Sequence, residues 1–218
     1  RVKLRTAYAF DNVYNTHIKP TFEKAVISEI APRHITTWQN DLKMKGYKNT
    51  YLLMIQEHLC RILNFGVRFG YIDKSPFVNR FAKDITQRKV EMTFWTIDEF
   101  NKFIQKIDND TYYAFFMTLY WTGIRRGEAI ALQIRDVNFT DNTLRISKTY
   151  DSVHKVTTTP KTSNSYRLVQ MTSELKNTLS DIIAHDRQFD GCTDDSLLFG
   201  VNTPLAPESI KQRQIKAA

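Results

Sequence analysis

The chain of 218 residues has little cysteine, glycine or proline and no long hydrophobic run. Its two cysteines, Cys60 and Cys192, lie far apart and form no C-x-x-C pair, which excludes a disulfide framework and a cysteine-rich zinc site. Seven glycines and six prolines are too few for a low-complexity chain. No stretch approaches the roughly 18 apolar residues of a membrane span, and no signal-peptide pattern opens the chain. We therefore expect a globular, cytoplasmic protein with no membrane partner.

The positive charge is concentrated in the first two fifths of the chain. The net charge is +8, and residues 1–88 hold 15 Lys and Arg against 7 Asp and Glu, whereas residues 89–218 hold 16 of each. A basic block beside a neutral block favours two modules, of which the first faces a polyanion such as nucleic acid. The alternative is that the charge only aids solubility.

Residues 1–83 have the apolar spacing of a small four-helix bundle. Pro20 is expected to end the first helix, and Asn49 with Thr50 can cap the third. The predicted segments are a first helix with its exit at 8–22, a second helix that opens at Ala31 and ends at Gly46, a third at 49–70 and a turn with a short terminal helix at 72–77.

The second half of the chain predicts helices around a small sheet. Residues 84–95 are a poor core sequence and are interpreted as an interdomain linker before a module at 96–218. The fold class is therefore mainly α with a small antiparallel β-sheet. The predicted elements are a helix from Thr96 with a capping box to Glu99, a very apolar helix at 112–121 ending at Gly123, strands at 137–139, 144–146 and 167–169, a helix at 175–185 and a basic helix at 207–218.

An unusual charge cluster follows the apolar helix. Residues 122–137 are TGIRRGEAIALQIRDV, so two guanidinium groups and a carboxylate come directly after a buried segment. Arginine suits phosphate oxygens because its planar fork donates paired hydrogen bonds and stays charged. Glu128 stands three residues after Arg125 and could hold it on one helical face. The alternative is an ordinary exposed start of a charged helix.

This stretch resembles the first catalytic box of the tyrosine recombinases, the phage-type integrases. That box is approximately T-G-x-R-x-x-E-x-x-x-L-x-x-x-D, and the chain matches every fixed position from Thr122 to Asp136. The resemblance implies that Arg125 is the first catalytic arginine and that its neighbour Arg126 has no such role. It further implies that Glu128 is the acidic residue that supports the site.

A second segment resembles the lysine hairpin of the same family. The family pattern K-T-x-x-S-x-R-x-V matches residues 161–169, and Lys161 is the implied catalytic lysine, 36 residues after Arg125. A lysine at a hairpin tip is usually only solvated. Lys155 and Lys148 are the competing candidates.

The first module resembles the core-binding domain of these enzymes, a four-helix, SAM-like module that grips DNA opposite the catalytic domain. By this resemblance residues 1–83 bind double-stranded DNA, and residues 96–218 are the first part of a tyrosine recombinase catalytic domain. The candidate phosphate contacts in the first module are Lys43, Lys45, Lys48, Arg61 and Arg68.

The family's remaining catalytic groups are expected beyond residue 218. These are an H-x-x-R box, a second His or Trp and the tyrosine nucleophile. The one H-x-x-R match, His58 to Arg61, precedes Arg125, so its order is wrong and a helix surface explains it. We expect a C-terminally truncated fragment that is inactive alone.

The resemblance implies site-specific DNA recombination, the integration or excision of a phage or conjugative element. The reaction would pass through a phosphotyrosine intermediate without a metal or other cofactor, in a homo-tetramer on DNA. Three alternatives stay open at this point. They are a DNA-binding module without catalysis, a structural or interaction protein, and a metal-dependent nuclease.

Overall fold

The computed structural model describes residues 3–81, 94–159, 166–200 and 203–205. Its architecture is mainly helical with small antiparallel sheets, as the sequence predicts, although there are two sheets among the described residues where one is expected. The chain divides into two compact units, Arg1–Met92 and Thr93–Ala218, each with its own core. The predicted linker at 84–95 lies outside the described residues except for its last two positions. The predicted helix at 207–218 lies wholly outside them.

The N-terminal unit is built from helices that enclose a small aromatic and aliphatic core. Trp38 lies at its centre, 2% exposed, and its indole Nε1 donates a hydrogen bond of 2.8 Å to the His17 carbonyl oxygen. The helical segments are α1 (Leu4–Val13), a π-helical turn (Tyr14–Ile18), α2 (Lys19–Phe22), a 3-10 turn (Ile27–Glu29), α3 (Pro32–Met44) and α4 (Asn49–Arg68).

Pro20 does not end the first helix, contrary to the prediction. The backbone widens into the π-helical turn, where the Lys19 N–H donates to the Tyr14 carbonyl, and the chain then continues as α2. Pro20 occupies the first turn of α2, where a missing N–H costs little. Within residues 3–81 the four α-helices are thus α1 to α4.

Two further details of this unit differ from the prediction. The N-cap of α4 is Lys48, so Asn49 is the first helical residue and not the cap. Residues 71–81 contain no helix, so the short helix predicted at 72–77 is wrong. Buried glutamines fix this segment instead, because the Gln56 side-chain oxygen accepts hydrogen bonds from the Phe81 N–H and from Gln39. Phe81 can then close the core without a helix.

The C-terminal unit packs helices around a three-stranded sheet of order β1-β2-β5. Its apolar centre includes Phe115, Leu144, Leu175 and Phe199, all fully buried. The elements are α5 (Ile97–Ile104), α6 (Asp110–Thr122), α7 (Arg126–Ile130), a 3-10 turn (Ile134–Asp136), β1 (Val137–Asn138), β2 (Thr143–Ile146), β3 (Thr149–Asp151), β4 (Val156–Thr158), β5 (Arg167–Gln170) and α8 (Ser173–Asp186).

Local signals in this unit are confirmed. The Thr96 side chain accepts from the Glu99 N–H at 3.3 Å, and the Glu99 carboxylate accepts from the Thr96 N–H at 2.8 Å, which is the predicted capping box. Gly123 ends α6 in the left-handed conformation at φ +62°, which glycine adopts without steric cost. Asn142, at φ +54°, lies in the hairpin turn between β1 and β2.

A second hairpin, β3–β4, forms at 149–158, where the sequence analysis predicts no strand. Strand β3 lies directly against α7, and Gly127 makes this approach possible. A Cβ atom at position 127 would lie 2.8 Å from Thr149 Oγ1 and 3.0 Å from the Tyr150 carbonyl oxygen. The hairpin is therefore seated beside the helix that follows Arg125.

Candidate functional site

Arg125 is placed by the abrupt end of α6. After Gly123 turns the chain, Ile124 enters the core at 4% exposure, and Arg125 becomes the N-cap of α7 with an extended backbone. The Arg125 side chain is 77% exposed. A buried anchor on one side and an exposed guanidinium on the other present this cation at the surface of the unit.

Glu128 holds Arg125 from within α7. Its carboxylate is 6% exposed, and one oxygen accepts from Arg125 Nη1 at 3.0 Å while the other accepts from the Arg125 backbone N–H at 2.9 Å. This is the i,i+3 contact expected from the sequence. It fixes one edge of the Arg125 guanidinium and leaves its other N–H groups directed to solvent.

Arg167 is a third member of the cluster, to which the sequence gives no role. From β5 its Nη2 donates to Glu128 Oε2 at 2.8 Å and its Nη1 to Oε1 at 3.3 Å. The recombinase-like pattern at 161–169 includes this arginine, which is a signal that could have found it. The two partners are 39 positions apart, and nothing in the sequence between them predicts the contact.

The pKa values of this cluster reflect burial opposed by hydrogen bonding. Burial alone would raise the pKa of Glu128, but the hydrogen bonds from Arg167 and from the Arg125 backbone and side chain outweigh it, so this pKa is lowered. The hydrogen bond to Glu128 raises the pKa of Arg167. Glu128 is thus an ionised, buried carboxylate between two permanent cations.

The three candidate lysines have different outcomes. Lys161 lies outside the described residues. The Lys148 ammonium lies 3.3 Å from the buried Asp136 carboxylate and also contacts the Gln133 side chain. Lys155 is exposed in the β3–β4 turn at φ +54°. Lys148 is therefore already used to neutralise a buried acid, which weakens it as a competitor of Lys161.

The five candidate DNA contacts of the N-terminal unit are all exposed but do not form one cluster. Lys43, Lys45 and Lys48 surround the connection from α3 to α4, whereas Arg68 ends α4, about 30 Å from Lys48 at 1.5 Å per residue. Arg61 lies between these ends and contacts Glu57 at 3.5 Å. The lysines form the denser positive group.

The misplaced H-x-x-R match is explained by packing on α4. His58 Nδ1 lies 2.7 Å from the Met54 carbonyl oxygen, and its ring packs on Phe10 at 4.2 Å. The Arg61 guanidinium lies 5.3 Å from the centre of the same Phe10 ring. Both side chains therefore serve the surface of the helical unit.

The described residues contain neither a metal-ligand group nor a membrane-spanning helix. Within this part of the chain no three His, Cys, Asp or Glu side chains are grouped so as to hold a metal ion. Among the same residues no helix is both long and apolar enough to cross a bilayer.

Both units match known protein families. Residues 91–216 match the Phage integrase family, and residues 1–43 match the phage integrase N-terminal SAM-like domain. The chain belongs to the phage integrase family, which confirms the resemblance found in its sequence.

Curated relatives come from bacteria. The chain is 32% identical over 167 residues to the ICEBs1 integrase of Bacillus subtilis (strain 168), covering 75% of this chain and 45% of that relative. It is 24% identical over 192 residues to a XerC-like tyrosine recombinase of Caldanaerobacter subterraneus subsp. tengcongensis, covering 79% and 48%. The chain spans about half the length of these curated relatives.

Solved structures share its fold. A Tn1549 transposon integrase in complex with a circular intermediate DNA matches with a TM-score of 0.73 at 18% identity, over 94% of this chain and 69% of that one. A lambda integrase tetramer bound to a Holliday junction matches with a TM-score of 0.68 at 18% identity, over 100% and 58%. The predicted fold class is thereby confirmed.

Proposed function

We propose that this chain holds and activates DNA in a site-specific tyrosine recombinase that integrates or excises a mobile element. Membership of the phage integrase family and the similarity to the ICEBs1 integrase support this. The observation that carries the proposal is the exposed Arg125 guanidinium anchored on the buried Glu128 carboxylate. This arrangement suits a non-bridging phosphate oxygen of double-stranded DNA.

The proposed reaction exchanges one phosphodiester for another without a metal or nucleotide cofactor. A tyrosine oxygen attacks the scissile phosphorus, a 3′-phosphotyrosyl bond forms, and the bond to the 5′ oxygen breaks. Arg125 stabilises the charge on the non-bridging oxygens, an effect of about 3–4 kcal/mol for one preorganised donor. Lys161 gives its proton to the leaving 5′ oxygen, which contributes on the order of 10²–10⁴ in rate.

Our proposal places the rest of the catalytic set, the H-x-x-R box and the tyrosine, outside this chain. The match to about half of each curated relative supports this division. The chain alone then binds DNA without cutting it. A nicked duplex of the recombination site, incubated with the chain, should give no covalent adduct, and a phosphotyrosyl adduct would refute the division.

The domain assignment is part of the same proposal. Residues 1–83 form the DNA-binding domain, 84–95 the linker and 96–218 the incomplete catalytic domain. The boundary between the two compact units, which falls after Met92, and the separate family matches support it. Limited proteolysis should cut first between 84 and 95, and first cuts within 1–83 or 96–218 would contradict the assignment.

The full-length protein is proposed to act as a homo-tetramer on DNA. The lambda integrase tetramer bound to a Holliday junction, which shares the fold, supports this assembly. Sedimentation of the full-length protein with junction DNA should give four protomers per junction.

Substitution of Arg125 tests the catalytic proposal. In the full-length protein Arg125→Ala should lower the single-turnover cleavage rate by about 10²–10³-fold, because one donor to the developing charge is lost, while DNA affinity stays nearly unchanged. Arg126→Ala is the matched control, since Arg126 is a neighbour that is also exposed, and it should cleave at nearly the wild-type rate. Retained cleavage in Arg125→Ala would remove Arg125 from the site.

A further inference from the structure

Two arginines from different elements both donate hydrogen bonds to the two carboxylate oxygens of Glu128. Oε1 accepts from Arg125 Nη1 at 3.0 Å and from Arg167 Nη1 at 3.3 Å. Oε2 accepts from the Arg125 backbone N–H at 2.9 Å and from Arg167 Nη2 at 2.8 Å. Each oxygen thus receives one hydrogen bond from each arginine, so the position of one guanidinium is linked to the other.

The two arginines differ in the exposure of their side chains and in the element that carries them. Arg167 is 32% exposed and begins β5, where it lies opposite the buried Ile146 of β2 in the sheet. Arg125 is 77% exposed, and a long side chain at such a position loses up to about 2 kcal/mol of rotamer entropy when it is ordered. Glu128 therefore connects an exposed guanidinium to one that is carried by the sheet and is mostly buried.

The same helix contacts the neighbouring hairpin through a second, independent point. At Gly127 the absence of a side chain lets α7 meet the β3 backbone, since a Cβ atom there would lie 3.0 Å from the Tyr150 carbonyl oxygen. Contacts at Gly127 and at Glu128 thus hold α7 against β3 on one side and β5 on the other. Position 161 lies in the chain between these strands.

We propose that Arg167 is a positioning residue, which acts from β5 through Glu128 to orient the Arg125 guanidinium toward the DNA phosphate. This inference rests on the proposed function of Arg125. Arg167 itself touches Glu128 and is assigned no contact with the reacting atoms.

Loss of Arg167 has a distinctive consequence for Glu128. Burial raises the pKa of this carboxyl, and the hydrogen bond from Arg167 is the largest contribution that lowers it. Without Arg167 the pKa of Glu128 rises, so the carboxylate is protonated as the pH falls through a higher range than in the wild type. A protonated Glu128 no longer attracts Arg125 as an anion.

The test is single-turnover cleavage by the full-length protein as a function of pH. Arg167→Met should slow cleavage by about 10–100-fold, as expected for a slightly misplaced catalytic group, with DNA affinity nearly unchanged. The acid limb of its rate profile should shift to higher pH. This shift should vanish in Arg167→Met combined with Glu128→Gln, because the titrating carboxyl is then absent. Arg167→Lys keeps the charge without the paired hydrogen bonds and should recover part of the rate.

Arg145 offers a matched control for a purely structural effect. On β2 it donates to the buried Asp136 carboxylate at 2.9 Å and 3.1 Å, an arrangement like that of Arg167. Arg145→Met should lower the melting temperature to a similar degree but leave the cleavage rate and its pH profile unchanged.

The outcomes separate the inference from the proposed function. If Arg125→Ala abolishes cleavage while Arg167→Met leaves rate and pH profile unchanged, the positioning role is wrong and the function stands. If Arg125→Ala cleaves normally, the proposed function fails first. Equal effects of Arg167→Met and Arg145→Met on the cleavage rate would reduce Arg167 to a structural role.

Discussion

Two buried carboxylates of the C-terminal unit are each neutralised by a pair of cations. Glu128 lies between Arg125 and Arg167, and the 2% exposed side chain of Asp136 lies between Arg145 and Lys148. Removing one partner of a buried ion pair is costly because the remaining charge stays uncompensated. The residues around the candidate site are therefore bound to one another electrostatically, and the side chains of Arg125 and Arg145 extend mostly into solvent, 77% and 54% exposed.

Residue-level reasoning found part of this site. The three-residue spacing of Arg125 and Glu128 predicts their contact, because such neighbours share a helical face. Arg167 could not be placed in the same way, since the fold of the sheet alone brings it to Glu128. Lys161 stays a prediction, because it lies outside the described residues.

His17 gives a prediction about pH. Its side chain is 4% exposed, Nε2 lies 2.8 Å from the Tyr51 hydroxyl, and Nδ1 is buried without a partner among the described residues. Burial, and then the charge of Lys45, lower the pKa of His17. An NMR titration of the five histidines should show His17 titrating below the ordinary value of about 6.5.

The same shift links His17 to stability. A lowered pKa means that the unfolded chain takes up the proton first, so the unfolding free energy is unaffected above pH about 6.5 and falls below it by at most about 1.4 kcal/mol per pH unit. His17→Gln should be less stable overall and should remove this part of the pH dependence. His58→Gln, a change on the surface of α4, should retain it. A decline that is unchanged in His17→Gln would contradict the assignment.

At the scale of elements, local residues were sufficient to predict those boundaries that depend on a cap or a turn. The capping box at Thr96, the left-handed Gly123 and the turn at Asn142 each mark a boundary because their side chains or backbone freedom act within three residues. The π-helical turn before Pro20 was not predictable, since nothing in the local sequence says how a helix accommodates that proline. The β3–β4 hairpin was missed because β4 is exposed throughout and shows no alternation.

The start of α8 provides a test of capping. The Thr172 hydroxyl accepts from the Leu175 N–H at 3.2 Å, and α8 places the buried Leu175 and Leu179 in the core. Thr172→Ala should lower the unfolding free energy by about 1 kcal/mol, measured by urea unfolding.

Thr178 of the same helix is the matched control. Its hydroxyl donates to the Glu174 carbonyl at 3.0 Å inside the helix, where alanine has the higher helix propensity. Thr178→Ala should be neutral or slightly stabilising. Equal losses in the two variants would show that the cap at Thr172 contributes nothing of its own.

At the scale of the whole molecule, charge separates the two units more clearly than any motif does. The excess positive charge lies entirely within residues 1–88. The boundary between the two compact units, after Met92, lies close to that change of charge. Composition could therefore suggest two modules. It could not show how far apart the candidate DNA contacts lie, because the length of α4 sets the distance between the lysines at its start and Arg68 at its end.

The charge distribution leads to a prediction for DNA binding. Affinity of the chain should fall steeply with salt, since each neutralised phosphate contributes about 0.9 to the slope of log affinity against log salt. Lys45→Ala combined with Lys48→Ala should remove two phosphate contacts and so reduce the magnitude of that slope by about 1.8. Lys102→Ala, on an exposed position of α5, should leave it unchanged. A flat binding curve in the unmodified chain would contradict DNA binding by this surface.

The most direct measurement of the whole account uses a recombination-site substrate with a sulfur atom at the 5′ bridging position, which leaves without needing a proton. In the full-length protein, this substrate should restore cleavage to Lys161→Ala and should not restore it to Arg125→Ala, because proton donation and charge stabilisation are separate tasks at one phosphate. Failure to restore Lys161→Ala, or equal restoration of both variants, would contradict the assigned roles of the two residues.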